Sequence, residues 1–267
     1  NVAPKTGIAE VNGTKLYFEI SGNGHPLILI NGSSLDLRMW DEQEADFAAR
    51  FRVIRYDLRG LGKSATPDVE FSHSRDLFHL LKHLNIEKAY ILGLSFGGAI
   101  AIDFALENPA MTDALIVASS ALSSLKNDYL EGLDALSVIA DKSGAASAID
   151  ELMSNPSFVA PENAAARQKT REILLDNAHI FETRFPLIRF WQPPQFSLDE
   201  NICRINAPTL IIVGDRDAPV INDIADNLSK SINGAKKVVI KNAGHMINLE
   251  KPAEFNRAVT DFLQTIL

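Results

Sequence analysis

The sequence predicts an α/β fold in which a mostly parallel central sheet carries helices on both faces. Three observations indicate this class: short apolar runs alternate with segments of helical period, most of these runs are apolar at nearly every position, and the first two are joined by an Asn-Gly turn. The chain has 267 residues, of which 46% are hydrophobic, so it can bury the core of one large domain.

The predicted sheet begins with a hairpin. Asn12-Gly13-Thr14 separates the runs Ile8–Val11 and Lys15–Ile20, and an Asn-Gly pair favours a tight antiparallel turn. Six later runs consist almost entirely of aliphatic or β-branched residues, which is typical of strands covered on both faces. These runs are Pro26–Ile30, Arg52–Asp57, Ala89–Leu92, Ala114–Ala118, Thr209–Val213 and Lys237–Ile240.

Helices are predicted between these strands. Leucines spaced i, i+3, i+4 and i+7 predict a helix over Asp76–Leu84. A second helix is predicted over Phe96–Glu107 and ends before Asn108-Pro109, where the proline prevents continuation. A last helix is predicted over Pro252–Leu267, with its proline at the first helical position.

The alternation of strands and helices stops between about Ser120 and Gln195. No strand is predicted there, and three segments resemble helices: Leu130–Asp141, Ala145–Met153 and Ala164–Asn177. We therefore predict an α/β core formed by residues 1–120 and 198–267, with a helical cap over residues 121–197 inserted between its two parts.

Composition excludes several classes of function. The formal charge is −8, from 26 Lys+Arg against 34 Asp+Glu, so a nucleic-acid partner is not expected. The only cysteine, Cys203, excludes an internal disulfide and a zinc site built on two thiolates. No run approaches the roughly 20 apolar residues that span a bilayer, and no signal-like segment is present. We expect a cytoplasmic protein, and its oligomeric state stays open.

Two patterns imitate ligand sites. His79 and His83 are four residues apart on a predicted helix and could bind a metal ion, with His73 nearby, but no third ligand is apparent. We expect a solvated histidine face there. Gly62-Lys63-Ser64 resembles the end of a phosphate-binding loop, but Asp57 stands where that loop needs a glycine. No metal and no cofactor are predicted.

The motif Gly93-Leu94-Ser95-Phe96-Gly97 stands between a predicted strand and a predicted helix, as a nucleophile elbow requires. A serine on so sharp a turn has a strained backbone, and side chains two residues to either side would collide, so Gly93 and Gly97 are needed. The helix that begins there directs its N–H groups and positive end at the reacting centre. We therefore predict Ser95 as a nucleophile.

A serine nucleophile needs a general base, and the base needs a carboxylate to orient it. Asp215 and Asp217 follow the predicted strand Thr209–Val213, and His245 follows the next strand. The chain order serine, acid, histidine is typical of hydrolases with this elbow. Spacing alone leaves both aspartates as candidates.

These motifs resemble those of the α/β-hydrolase superfamily, in its small capped serine-hydrolase branch. They cover most of the chain outside the predicted cap and stand in the expected order. The phrase from Asn31 to Asp41 is also similar to the 3-oxoadipate enol-lactonase branch. The motifs that carry the resemblance are Asn31-Gly32-Ser33, Tyr56-Asp57-Leu58-Arg59-Gly60-Leu61-Gly62-Lys63-Ser64, the elbow, Gly214-Asp215-Arg216-Asp217 and Gly244-His245.

The resemblance implies a role for each of the three candidate catalytic residues. Ser95 is then the nucleophile, His245 the general base and acid, and Asp217 the orienting carboxylate, because the family places its acid three residues after the glycine. Asp215 remains the alternative acid.

The resemblance also implies an oxyanion hole made by the backbone N–H groups of Phe96 and Ser33, with Ser34 as an alternative to Ser33. This chain has Asn31-Gly32-Ser33 where the family commonly shows His-Gly-X. Ser34, Trp191 and Met246 are expected to contribute to the substrate pocket.

The function implied is cofactor-free cleavage of carboxylic esters with small to medium acyl groups, through an acyl-enzyme. The expected partner is a small-molecule ester or lactone. Other enzymes with this triad remain alternatives: a lactonase, a C–C bond hydrolase or a perhydrolase. A ligand receptor on the same fold is the alternative outside enzymes.

Overall fold

The computed structural model describes residues 3–181, 187–194 and 201–266. Its strands form one sheet in the order β1-β2-β4-β3-β5-β6-β7-β8, and the pairs β1–β2 and β2–β4 are antiparallel while every other pair is parallel. The predicted mostly parallel α/β architecture is confirmed. The strands are β1 (Lys5–Val11), β2 (Thr14–Ser21), β3 (Pro26–Ile30), β4 (Arg52–Tyr56), β5 (Ala89–Leu94), β6 (Thr112–Ala118), β7 (Thr209–Gly214) and β8 (Lys236–Ile240).

The predicted hairpin joins β1 and β2. Asn12 and Gly13 have φ values of 48° and 71°, the left-handed conformation that a tight two-residue hairpin turn demands of both residues. Val11 pairs with Thr14 across this turn. The antiparallel start of the sheet therefore follows from one dipeptide.

The central strands are buried along their length, as their apolar runs predict, and β5 and β7 have no exposed residue. The last strand differs. Among the described strands β8 pairs only with β7, so it forms an edge of the sheet, and Val239 is 41% exposed. The expectation that this strand is covered on both faces was wrong, because an aliphatic run does not reveal whether a neighbouring strand or helix covers it.

The helices of the described residues surround this sheet. α3 packs on β5 and β6, whereas α1 contacts β4 and α10. None of them is both long enough and apolar enough to cross a bilayer. The helices are α1 (Asp41–Ala48), α2 (His73–His83), α3 (Phe96–Glu107), α4 (Lys126–Ser143), α5 (Ala145–Ser154), α6 (Ala164–Asp176), α7 (Leu187–Phe190), α8 (Pro219–Ser231), α9 (Ile247–Glu250) and α10 (Pro252–Gln264).

Four of these helices were not predicted: α7 and α9, which have four residues each, and the longer α1 and α8. α8 carries a recognisable signal, since Pro219 occupies its first turn and its buried residues Ile224, Ala225 and Leu228 stand at positions i, i+1 and i+4, on one face of a helix. α1 buries only Gln43 and Phe47, so it has no apolar stripe to reveal it.

Between β6 and β7, the described residues form helices but no strand, apart from one isolated bridge that pairs Trp191 with Phe71. This arrangement is compatible with the predicted cap over residues 121–197, and the division into core and cap stays a prediction. The C-terminal boundary at 197/198 lies outside the described residues.

The three histidines near α2 do not share one environment. His79 and His83 are exposed, as expected, but His73 is only 2% exposed. Its ring packs against those of Phe71 and Phe96, with centroids 4.8 Å and 5.4 Å away. Burial lowers the pKa of His73 to about 3, so this side chain is a neutral part of the core.

A buried carboxyl group on α3 gives the fold a pH dependence that can be measured. Asp103 is 2% exposed, accepts a hydrogen bond of 2.8 Å from Ser123 Oγ, and has its pKa raised to about 8 by burial. Because this pKa lies above that of the unfolded chain, the contribution of Asp103 to stability is complete in acid and is lost as pH rises towards 8.

We expect Asp103→Asn to remove this loss. The free energy of unfolding of Asp103→Asn minus that of the wild type should increase by more than about 2 kcal/mol between about pH 5 and about pH 8, since one pKa unit is worth about 1.4 kcal/mol. Urea denaturation at several pH values measures the difference. Asp223→Asn, on an exposed residue of α8, is the matched control and should follow the wild type. Identical pH profiles for Asp103→Asn and the wild type would contradict the prediction.

Candidate active site

Ser95 lies at a sharp turn between β5 and α3. Its φ of 58° and ψ of −118° are unusual for a residue with a side chain, and such strain persists only where the surrounding structure enforces it. Ser95 N donates to Ala118 O at 2.9 Å, and Ala121 N donates to Ser95 O at 3.1 Å. Both bonds tie the turn to the end of β6, while the Ser95 side chain lines a cavity.

The two glycines of the elbow are required by close backbone approach. A Cβ at Gly93 would overlap the carbonyl group of Gly97, and a Cβ at Gly97 would overlap the carbonyl oxygen of Ile30. The crowding predicted from the sequence is confirmed at both positions. The atoms they would meet belong to the backbone, so a side chain could not be accommodated by a change of rotamer.

We expect Gly97→Ala to destabilise the protein by at least about 2 kcal/mol, since overpacking against backbone must shift β3 or α3. Urea denaturation measures this change. The control is Gly132→Ala on α4, where an added Cβ meets no atom within 4 Å and should instead stabilise by about 0.5–1 kcal/mol. Wild-type stability in Gly97→Ala would contradict the described packing of the elbow.

An imidazole and a carboxylate meet at the cavity that Ser95 also lines. His245 Nδ1 lies 3.0 Å from Asp217 Oδ1 and 3.1 Å from Asp217 Oδ2. The Asp217 side chain is 1% exposed, and its Oδ1 also accepts a hydrogen bond of 2.7 Å from Ala218 N. The His245 ring stacks on Phe158 at a centroid distance of 5.9 Å. The ring is therefore held with Nδ1 towards the carboxylate, which leaves Nε2 on its opposite side.

The loops after β7 and β8 approach each other at Gly214, where a Cβ would overlap the carbonyl oxygens of Ala243 and Gly244. This approach places Asp217 against His245. Asp215 points elsewhere, since its carboxylate lies 3.7 Å from Lys241 Nζ. Of the two aspartates that spacing left open, the structure puts Asp217 in contact with the imidazole.

The loop after β3 lies against the elbow. A Cβ at Gly32 would lie 3.6 Å from Ser95 Cβ, and Gly32 N donates to Met39 Sδ at 3.2 Å. Ser33 and Ser34 line the same cavity as Ser95, and Ser34 has a φ of 67°. Both serines therefore stay candidates for the second oxyanion donor. Phe96 occupies the first position of α3.

Only one of the three expected pocket residues lies on this cavity. Ser34 lines it, but Trp191 and Met246 are not among the described residues that do. Trp191 is 1% exposed, and its ring packs against that of Phe96 at 4.8 Å, so it supports the elbow from behind. Met246 is fully buried. Since His245 faces the cavity, the residue after it is turned towards the core, which corrects the expectation for Met246.

The cavity has a volume of about 360 Å³, within the range of small-molecule sites, and its walls are mostly apolar. Sequence reasoning missed these walls because an apolar residue at helical spacing looks the same beside a cavity as in a core. In the described part of the chain, no cluster of three His, Cys, Asp or Glu side chains could hold a metal ion. The apolar walls include Leu133, Leu136, Leu152, Phe158, Phe181 and Ile224.

The arrangement combines three chemical elements at the carboxyl ends of parallel strands. A hydroxyl group on a strained turn follows β5, a carboxylate follows β7, and the imidazole that contacts this carboxylate follows β8. The N-terminal end of α3 carries a positive partial charge. These are the parts from which acyl transfer by a serine nucleophile can be built.

Comparison with known proteins places the chain among hydrolases. A sequence model described as the alpha/beta hydrolase family matches residues 27–258. The 3-oxoadipate enol-lactonase 1 of Acinetobacter baylyi is 27% identical over 268 residues, with 97% of each chain covered. The crystal structure of the enol-lactonase from Burkholderia xenovorans LB400 superposes with a TM-score of 0.81 at 25% identity, covering 97% of this chain and 100% of that one.

Another relative has a higher sequence identity but aligns with a much shorter segment of the chain. An uncharacterized protein of Mycobacterium tuberculosis is 36% identical over 124 residues, which make up 45% of this chain and 36% of that protein. This chain thus matches about a third of the length of that relative.

Proposed function

Because the chain belongs to the alpha/beta hydrolase family, we propose that it is a serine hydrolase that cleaves carboxylic esters of small to medium acyl substrates through an acyl-enzyme intermediate. The observation that carries the proposal is the contact of 3.0 Å between His245 Nδ1 and Asp217, beside a cavity that Ser95 also lines. The proposed catalytic residues are therefore Ser95, His245 and Asp217.

In the first step, Ser95 Oγ attacks the carbonyl carbon of the ester while His245 Nε2 accepts the hydroxyl proton. Asp217 accepts a hydrogen bond from Nδ1–H, which holds the ring in the tautomer whose Nε2 has a free lone pair, and it stabilises the imidazolium that forms. The tetrahedral intermediate then expels the alcohol, which takes its proton from the imidazolium.

The negative charge on the intermediate needs donors that are already in place. We propose the backbone N–H of Phe96, at the start of α3, and the N–H of Ser33 or Ser34 in the loop that lies against the elbow. A water molecule then attacks the acyl-enzyme with His245 as its base, and collapse of the second intermediate releases the carboxylic acid and restores Ser95.

A lactonase is the second candidate, because an enol-lactonase is among the relatives that span almost the whole chain. The same steps would open a lactone, with the leaving alkoxide kept on the acyl group. Comparing kcat/KM for simple lactones and for esters of the same acyl length distinguishes the two activities.

The proposal is tested by two measurements on one preparation: steady-state turnover of p-nitrophenyl acetate, and labelling by a fluorescent organophosphonate. We expect sustained turnover and labelling of one serine per chain, located at Ser95 by mass spectrometry. A ligand receptor on this fold would show little or no turnover. Turnover without labelling, or labelling at another residue, would contradict Ser95 as the nucleophile.

A further inference from the structure

One face of α4 forms a wall of the cavity, and it carries two features that apolar walls do not need. The lining residues Asp128, Gly132, Leu133 and Leu136 stand at positions i, i+4, i+5 and i+8, so they lie on the same side of the helix. Leucines suit any apolar wall. The carboxylate of Asp128 and the missing side chain of Gly132 call for another explanation.

We propose that the site selects uncharged esters or lactones whose aliphatic part runs along this face of α4, that Asp128 rejects substrates bearing a carboxylate, and that Gly132 sets the accepted length. This inference rests on the proposed hydrolase function and narrows its substrate class.

The charge on the cavity supports the first part of the proposal. Its ionisable lining residues within the described ranges are Asp128, Asp217 and His245, and no lysine or arginine is among them. Since Asp217 already contacts the imidazole, Asp128 is the other carboxylate of the described lining that can act on an entering group. A second negative charge at 4 Å costs about 1 kcal/mol even in bulk water and more beside apolar walls.

This charge distribution does not suit the substrate after which one almost fully covered relative is named. The Acinetobacter baylyi enzyme is named for the enol-lactone of 3-oxoadipate, which is the anion of a dicarboxylic acid. Such a lactone keeps one carboxylate free, and a binding site for it calls for a cationic partner. The lining described here offers an anion instead.

Gly132 supports the second part of the proposal. An added Cβ there would meet no atom within 4 Å, and its φ is not in the left-handed region, so neither packing nor backbone conformation requires a glycine. Glycine inside a helix costs about 1 kcal/mol relative to alanine. What the glycine provides is space in the cavity, and a side chain at this position would occupy that space.

The charge selectivity is tested with two esters of equal length, p-nitrophenyl valerate and mono-p-nitrophenyl glutarate. We expect kcat/KM of the wild type to be about tenfold lower for the glutarate than for the valerate. The ratio of the two kcat/KM values should shrink at high salt. In Asp128→Asn, the ratio of kcat/KM for the valerate to that for the glutarate should fall to a few-fold. Glu131→Gln, which removes a charge from an exposed residue of the same helix outside the lining, should retain the wild-type ratio.

The length limit is tested with p-nitrophenyl acetate, butyrate and octanoate. We expect Gly132→Leu to lower kcat/KM for octanoate about tenfold more than for acetate. Ala135→Leu places the same side chain at an exposed position of α4 outside the lining and should retain the wild-type profile. If Gly132→Leu does not fold, Gly132→Ala replaces it in this test. Gly132→Ala should be more stable than the wild type, and its kcat/KM for octanoate should still fall by a few-fold.

Failure of this inference and failure of the proposed function would give different results. This inference would be overturned if the wild type hydrolysed the glutarate ester as well as the valerate ester, or if neither Gly132 variant changed the length profile. The proposed function would remain intact in either case if the enzyme were labelled at Ser95. Absence of turnover on every ester and lactone, together with absence of phosphonate labelling, would instead contradict the proposed function.

Discussion

Replacing Ser95 with alanine is expected to lower kcat on p-nitrophenyl acetate by about 10⁴-fold or more, because the variant lacks the hydroxyl group that forms the acyl-enzyme in the proposed mechanism. Labelling by the organophosphonate should disappear at the same time. Alanine fits the elbow as well as serine does, so the circular dichroism spectrum and the melting temperature should stay close to those of the wild type.

A second serine with a positive φ provides the control. Ser119 has a φ of 44°, and its buried hydroxyl has no hydrogen-bond partner in the described structure. Ser119→Ala therefore removes the same atom from a left-handed residue that follows the neighbouring strand, and we expect near wild-type turnover. Turnover that survives Ser95→Ala, in a preparation free of wild-type enzyme, would exclude the proposed mechanism.

Replacing Asp217 with asparagine is expected to lower kcat by about 10³–10⁴-fold. The amide of asparagine can donate a hydrogen bond to Nδ1, which favours the tautomer with the proton on Nε2, and a protonated Nε2 cannot accept the proton of Ser95. The rate of phosphonate labelling should fall in parallel, because it depends on the same activated hydroxyl.

Asp215→Asn is the matched control for this change. Asp215 lies two residues away and faces Lys241 at 3.7 Å, so its substitution should leave kcat within a few-fold of the wild type. Urea denaturation of both variants separates loss of activity from loss of folding. A large loss of activity in Asp215→Asn, with Asp217→Asn active, would identify Asp215 as the acid instead.

Much of the sheet could be predicted because its signals are local. β3 and α3 have the predicted bounds, Pro26–Ile30 and Phe96–Glu107. A buried strand shows itself as an apolar run, and the end of α3 is marked by Pro109. α1 could not be found in the same way, because it buries only Gln43 and Phe47 and its other residues face away from the core.

The pocket was predicted less well than the elbow. Trp191 and Met246 were expected on the cavity, but Trp191 supports Phe96 from behind and Met246 is turned into the core. An aromatic or aliphatic side chain carries no mark that separates a wall from a core, since both environments reward the same burial of apolar surface. The difference depends on which neighbours leave space unfilled.

The sequence by itself determined the elbow, because the sterics of Gly93, Ser95 and Gly97 act over five residues and permit few alternatives. It also determined that a carboxylate and a histidine follow the last two strands. Only the tertiary structure decided that Asp217 rather than Asp215 meets His245, because that contact depends on the approach of two distant loops at Gly214. It likewise decided the walls of the cavity, since an empty space is defined by side chains from separate helices and by no single segment of the chain.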